Sequence, residues 1–240
     1  MGEGEALGGG NIAPVVRVGD TVRRETGPWT PAVHALLISC EEAGVDGTPR
    51  VRGIDEHGRE ILSFLPGEVL AGSDVQWSRD ALRDAARLLR RIHDAGAPLT
   101  RRSLTWRAPV HRPAEVVCRN DFAPYNLIVR DGRLVGAIDF DFASPGPRIW
   151  DVAYLAYRIA PYAEDAERFD PGRHGSPDER VALLVEAYGG PWSVADLRAA
   201  ISPRLDELAA WTDEHARATG RDDLRGHAAM YRRDADRLRA

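Results

Sequence analysis

Asp121, Asn126 and Asp139 are the residues of this chain whose types and spacing point most directly to chemistry. They lie in the stretch EVVCRNDFAPYNLIVRDGRLVGAIDFDFASPGPRIWD, where two apolar runs, residues 127–129 and 134–138, flank Arg130-Asp131-Gly132-Arg133. Asp-Gly between such runs signals a two-residue hairpin turn, because both central residues must accept positive φ. With Asp131 and Gly132 as the turn, Arg130 pairs with Arg133 and Val129 with Leu134. The same register sets Asn126 opposite Ala137, with Asp139 two residues further along the same side and within diagonal reach. A carboxamide and a carboxylate then arrive together at the open end of the ribbon, and the loop before it delivers Asp121. One amide oxygen and one carboxylate oxygen, completed by water and substrate phosphates, suit Mg²⁺. A further carboxylate that is not needed as a ligand suits a base that orients or deprotonates a hydroxyl. Phosphoryl transfer needs this combination of positioning and charge neutralisation, with little covalent chemistry. Asp and Asn are also ordinary loop residues, so residue type alone leaves a purely structural alternative open.

The elements that must hold these residues are legible on either side. Residues 15–18 and 21–24 flank Gly19-Asp20 as a short hairpin. Thr30-Pro31 opens a helix to about Glu42, with threonine as N-cap and proline at the first position. A second hairpin spans residues 51–54 and 60–65, ended by Pro66-Gly67. From Ser78 the pattern turns helical: Ala81, Leu82, Ala85, Leu88, Leu89 and Ile92 form one apolar face that ends at Gly96. A basic, proline-containing connector, residues 101–113, precedes the central stretch. The chain from about Glu179 is helical in pattern, broken at Gly189-Gly190-Pro191 and at Gly220. The expected architecture is α+β and two-lobed, a small β-rich N-terminal lobe over residues 1–67 and a larger, mostly helical lobe over residues 68–240.

NDFAPYN, then AIDFDFA, then PGPRIWDVAYLAY resembles the aminoglycoside phosphotransferase and choline kinase-like family, relatives of the protein kinases. ILSFLPGE resembles that family's hinge between lobes, and LLRRIHDAG resembles the helix that precedes its catalytic loop. The resemblance implies a kinase-like fold that moves the γ-phosphoryl group of ATP or GTP to a hydroxyl of a small molecule, of the aminoglycoside-like or amino-alcohol class. It makes Asp121 the catalytic-loop aspartate, Asn126 and Asp139 the Mg²⁺ ligands, and Asp151 a brace for the loop. Backbone groups at Ser63, Phe64 and Leu65 would hold the base. The family's strand lysine would fall at Arg23, with Arg17 on the strand before as a second phosphate contact. Gly8-Gly9-Gly10-Asn11 is either a shortened phosphate-covering loop or a flexible tail.

The chain departs from the family pattern at three points. His-Gly-Asp is here Arg119-Asn120-Asp121. The sequence contains no lysine, so all 32 basic residues are arginine, and arginine is not a plain substitute for a compact ammonium. The helix at residues 31–43 has Val33 and His34 where a glutamate partner is expected. These losses leave open a nucleotide-binding protein that has lost catalysis. Acidic residues of the C-terminal lobe, Glu164, Asp165, Glu167, Asp206, Glu207, Asp213 and Glu214, are either an acceptor site for a cation or a solvated face.

Composition narrows the classes further. At 240 residues, 43% hydrophobic and 29% charged, the chain has the make-up of a globular protein with a sizeable core. A net charge of −5 argues against a nucleic-acid partner. No apolar run approaches the roughly 20 residues that span a bilayer, which argues against a membrane partner. The N-terminus lacks the basic and apolar regions of a signal peptide. Cys40 and Cys118 are too few for a disulfide framework and read as reduced thiols, as in a cytoplasmic enzyme. The charges of residues 221–239 alternate in sign, as on a solvated helix.

Overall fold

The computed structural model of the protein describes residues 5–7 and 15–239, so the Gly8–Asn11 segment lies outside the described residues. Five short strands, β1 (Glu5–Leu7), β2 (Val15–Val18), β3 (Thr21–Arg24), β4 (Val51–Ile54) and β5 (Glu60–Ser63), form an antiparallel sheet in the order β1-β2-β3-β5-β4. Helix α1 (Thr30–Glu42) buries Val33, Leu36, Leu37 and Cys40, the residues expected at helical spacing. Trp29 is its N-cap. Thr30 is the first helical residue instead, and its hydroxyl accepts the Gly27 N–H at 2.9 Å.

Across the hinge segment, β6 (Glu68–Val69) joins a different sheet, pairing with β8 (Leu127–Arg130), which in turn pairs with β9 (Arg133–Ala137). Helix α2 (Arg79–Gly96) begins at Ser78, whose side chain accepts the Ala81 N–H, and its apolar face is fully buried. Strand β7 (Val116–Cys118) pairs with β10 (Ser144–Gly146), which leads through Pro147 into the next helix. The remaining elements are helical: α3 (Arg148–Ile159), α4 (Pro171–His174), α5 (Pro177–Tyr188), α6 (Val194–Thr219) and α7 (Asp223–Arg239). Gly189 and Gly220, both left-handed, end α5 and α6 where the breaks were expected. The fold is thus a small antiparallel N-lobe on a mostly helical C-lobe, with one apolar core running from α1 through α2 and β8 to α3 and α6.

The β8–β9 register corrects the expected one. Asp131 and Gly132 do turn with φ of 52° and 72°, and Arg130–Arg133 and Val129–Leu134 pair as anticipated. The next pair is Ile128–Gly136, so Val135 is an extra residue on β9 and Ala137 lies opposite Leu127. Asn126 therefore sits opposite Ile138, whose N–H donates to the Asn126 carbonyl at 2.9 Å. The bulge lies where the two lobes cross. The Gly47 carbonyl from the N-lobe accepts the Ala137 N–H at 2.8 Å, and a Cβ on Gly136 would stand 2.7 Å from that same oxygen. Turn chemistry set the first two pairs; a tertiary contact set the rest.

Gly136→Ala forces the two lobes apart at this crossing. It should cost about 1–3 kcal/mol, as overpacking does, and lower the denaturant midpoint. Gly132→Ala, where a Cβ meets nothing within 4 Å, has only the strain of its positive φ and serves as the comparison.

Candidate active site

Asp121 is preceded by β7 and followed by a 3₁₀ turn, Pro124–Asn126, that leads directly into β8. Its backbone is held from behind by Asp151, on the first turn of α3. One Asp151 oxygen accepts the Arg119 N–H at 2.6 Å and the other the Asn120 N–H at 2.9 Å. His93, at the end of α2, adds its Nε2 at 2.9 Å and its Nδ1 meets the Tyr188 hydroxyl at 2.8 Å. All of this is buried. Burial by itself would raise the Asp151 carboxyl. The hydrogen bond and charge of His93, with the backbone N–H of Arg119, outweigh it and hold the group below its ordinary 3.8.

The departures from His-Gly-Asp have local explanations. Asn120 has φ of 58°, a left-handed conformation that glycine adopts freely and asparagine tolerates better than most. Its amide donates to the Phe142 carbonyl and to the Ser144 hydroxyl, both at 2.8 Å. Arg119 is fully buried. Its guanidinium donates to the carbonyls of Ile138 and Asp139 at 2.6 and 2.5 Å and lies 3.6 Å from the Phe140 ring centre. Arg119, two residues before the loop aspartate, thus ties the loop to the segment that carries Asp139. Arg204 from α6 donates to the Asn120 carbonyl at 2.5 Å.

Asn126 donates its amide hydrogens to the Asp121 carbonyl at 3.0 Å and to Asp121 Oδ2 at 2.9 Å. Tyr125 donates its hydroxyl to Asp121 Oδ1. Burial and the nearby Asp139 charge raise the Asp121 carboxyl above its ordinary value, against the Tyr125 hydrogen bond and the charges of Arg119 and Arg204. Asp139 also has a left-handed backbone, φ 59°, so the turn rather than strand alternation sets its side-chain direction. Its side chain is 43% exposed and accepts a long 3.4 Å hydrogen bond from the Asp141 N–H. Asn126 and Asp139 offer hard oxygen donors with one carboxylate open to solvent, and this donor set fits Mg²⁺, which keeps several waters of its own. A second group of metal-ligating types, His93, Cys118 and Asp151, lies within 4.8 Å. There the Asp151 carboxylate already accepts three N–H donors, and the Cys118 thiol, raised by burial, points to the Pro147 carbonyl at 3.4 Å.

The arginine beside Asp139 is Arg24, one residue beyond the expected Arg23. In a strand one residue decides the face. Arg24 pairs across β5 with Glu60, on the face that carries the buried Leu62, whereas Arg23 pairs with Ile61 on the other. Arg23 meets Thr21 at 2.7 Å and Asp55 at 3.8 Å. Arg17 lies over the Phe64 ring at 4.0 Å and donates to the Gly19 carbonyl. Arg24 instead reaches Asp141 at 2.5 Å, Glu60 at 3.3 Å and Asp139 at 3.8 Å. Burial works against its charge, but these three carboxylates hold it more firmly protonated than usual. The helix glutamate missing from α1 has a counterpart on β5: His34 of α1 contacts Glu60 at 3.0 Å, and Glu60 contacts Arg24. Arg107, from the connector, stacks between Trp29 and Phe142 at 4.4 and 4.8 Å and faces Asp141 at 3.5 Å. Neither Arg24 nor Arg107 was singled out in the sequence. The strand register across to Leu62 identifies the first, and nothing local identifies the second.

In the hinge, the Ser63 N–H donates to the Arg50 carbonyl at 2.9 Å and the Phe64 N–H to the Asp20 carbonyl at 2.8 Å, so both are engaged within the N-lobe. Of the acidic C-lobe residues, Asp165 pairs with Arg158 at 2.9 Å and Glu207 with His111 at 2.7 Å. Glu164, Asp206 and Asp213 pair with Arg233, Arg239 and Arg232.

The sequence profile of the phosphotransferase enzyme family matches residues 100–184, which include Asp121, Asn126, Asp139 and Asp151. A trifolitoxin immunity protein from Rhizobium leguminosarum bv. trifolii is 34% identical over 198 residues, 79% of this chain and 75% of that protein. Among solved structures, a choline/ethanolamine kinase family protein from Mesorhizobium loti superposes with a TM-score of 0.67 at 18% identity, covering 99% of this chain and 88% of that one. An amicoumacin kinase in complex with AMP-PNP and Ca²⁺ has a TM-score of 0.67 at 12% identity, covering 98% and 88%.

A carboxylate with a depressed folded-state value stabilises the fold fully above its unfolded value and loses that contribution as pH falls through the lower one. The Asp151 brace should therefore hold undiminished from neutral pH to about 4–5 and fade below that. Asp151→Asn presents an amide to donors that need an acceptor and should cost about 3 kcal/mol at neutral pH. Denaturant melts from pH 3 to 8 check both statements, with a shallower acid limb expected in the variant.

Proposed function

The chain belongs to the phosphotransferase enzyme family, and on that premise we propose that it moves the γ-phosphoryl group of ATP or GTP to a hydroxyl of a small molecule. The observation that carries this reading is the Asn126–Asp121 hydrogen bond beside a half-exposed Asp139 carboxylate. Asp121, raised by burial, takes the acceptor proton as the acceptor oxygen bonds to phosphorus and the nucleoside diphosphate leaves with the bond pair. Asn126 and Asp139 would hold Mg²⁺, which when bound neutralises phosphate charge. Arg24 takes the phosphate-binding role that Arg23 was expected to have, freed from Asp141 as the triphosphate competes for its guanidinium. The backbone around Ser63, Phe64 and Leu65, with Arg17 stacked on Phe64, borders the base. Residues 1–67 and 68–240 act as nucleotide-binding and catalytic lobes. No helix among the described residues is long and apolar enough to cross a membrane, and both cysteines are free and buried, in keeping with the reducing cytoplasm.

The resemblance implies an aminoglycoside-like or amino-alcohol acceptor. Identity to a trifolitoxin immunity protein supports a protective version of this reading, in which the acceptor is a toxic compound inactivated by phosphorylation. A nucleotide-binding protein without turnover is the rival, and the Arg24–Glu60–His34 chain favours activity because it supplies a cation held by a carboxylate where lysine and glutamate are missing.

Asp139→Ala should abolish the Mg²⁺-dependent rise in melting temperature with ATP or GTP, since a ligand stabilises only the state that binds it. Asp121→Ala should keep that rise and lose at least about 100-fold in turnover. Unchanged turnover in Asp121→Ala, with an acceptor panel of aminoglycosides and amino alcohols, would sink the assignment. Arg24→Ala should weaken nucleotide binding about tenfold or more, the scale of one charge-assisted contact, while Arg23→Ala leaves it within about twofold; isothermal titration distinguishes the two.

A further inference from the structure

We infer that Tyr125 is a positioning residue whose hydroxyl occupies the acceptor oxygen's place on Asp121 and is exchanged for the acceptor, keeping water off the carboxylate in the interval. This rests on the phosphotransferase reading above. Asp121 offers two oxygens. Oδ2 is taken by the Asn126 amide and Oδ1 by the Tyr125 hydroxyl, an O–H to carboxylate bond of the strong, charge-assisted kind. A substrate alcohol that gives its proton to Asp121 must first donate to it, and Oδ1 is the oxygen that such an alcohol would share with, or take from, the phenol. The structure therefore already contains the hydrogen bond that an acceptor would make.

The phenol has somewhere to go. Its oxygen also meets the Tyr154 hydroxyl at 2.9 Å. Tyr154 is buried on α3, packed over the Arg204 guanidinium at 4.9 Å. Tyr125 itself is 40% exposed on a 3₁₀ turn. One partner is fixed by packing and the other is the reacting carboxylate. On losing Asp121, Tyr125 keeps a hydrogen bond through Tyr154, so exchange leaves no polar group unsatisfied. A leucine or phenylalanine at this position would leave Oδ1 open to solvent at all times.

Open to water, the same site hydrolyses nucleotide. The water oxygen bonds to the γ-phosphorus, the bond to the β-phosphate oxygen breaks with its electron pair on the nucleoside diphosphate, and the water proton passes to Asp121. The test is acceptor-free hydrolysis of Mg²⁺-ATP or Mg²⁺-GTP by the full chain. In Tyr125→Phe, kcat for hydrolysis should rise, by about tenfold in a process where base catalysis is worth at least 100-fold, with the nucleotide KM unchanged. Tyr125→Ala should be at least as fast, and Asp121→Ala in either background should return the rate to that of Asp121→Ala alone. Melting temperatures report that the variants are folded. A purely structural Tyr125 predicts the opposite sign, since loosening the loop slows turnover. If wild type and Asp121→Ala differ but both Tyr125 variants hydrolyse no faster than wild type, the Tyr125 inference fails and the phosphotransferase reading stands. If no chain binds nucleotide in the presence of Mg²⁺, both fail together.

Discussion

Three N–H groups converge on the buried carboxylate of Asp151, and the geometry of the site depends on that convergence. Two come from the backbone of Arg119 and Asn120 and the third from His93. A buried carboxylate that lost these donors would carry its full desolvation cost, so the loop has strong reason to keep the shape that presents them. That shape includes a left-handed Asn120 and leaves Asp121 at the start of the next turn, facing Asn126. The brace joins α2, α3 and the loop before β8, three elements far apart in sequence. Arg119 extends the same logic forward by gripping two successive carbonyls, those of Ile138 and Asp139. Arg119 thereby sets the loop and the segment that carries Asp139 relative to one another.

The N-lobe side of the site follows from a different constraint, the absence of lysine. A guanidinium is long, planar and always charged. Arg24 reaches past the strand edge to Asp141 while keeping Glu60, and Glu60 keeps His34. The carboxylate that meets Arg24 is on a strand, and the helix contributes an imidazole to it. Asp139, Asp141 and Glu60 cluster around one arginine, and on the proposed function a triphosphate would compete for Arg24 and a divalent cation for Asp139.

Much of the fold was legible because it rests on local rules. Helical spacing of Leu82, Leu89 and Ile92 located α2, and Asp131-Gly132 located the β8–β9 turn. The candidate trio Asp121, Asn126 and Asp139 was legible by type and spacing. Tyr125 was not, since an exposed tyrosine in a 3₁₀ turn carries no periodic signal and its hydroxyl is placed by contacts with Asp121 and with Tyr154 on α3. The resemblance points to Arg23 because it counts residues, whereas Arg24 is the one that meets Asp139 because the sheet sorts residues by face.

By itself the amino-acid order determined the early hairpins, the apolar face of α2, the Asp131-Gly132 turn and the glycine breaks that end α5 and α6, and which oxygen-bearing side chains lie close along the chain, since these follow from backbone preference and periodicity. Tertiary structure alone decided where a one-residue bulge would move Asn126 from Ala137 to Ile138, which arginine faces Asp139, and which hydroxyl rests on Asp121. Those outcomes depend on contacts such as Gly47 against Gly136, where two backbones distant in sequence compete for the same space, and no local rule anticipates that meeting.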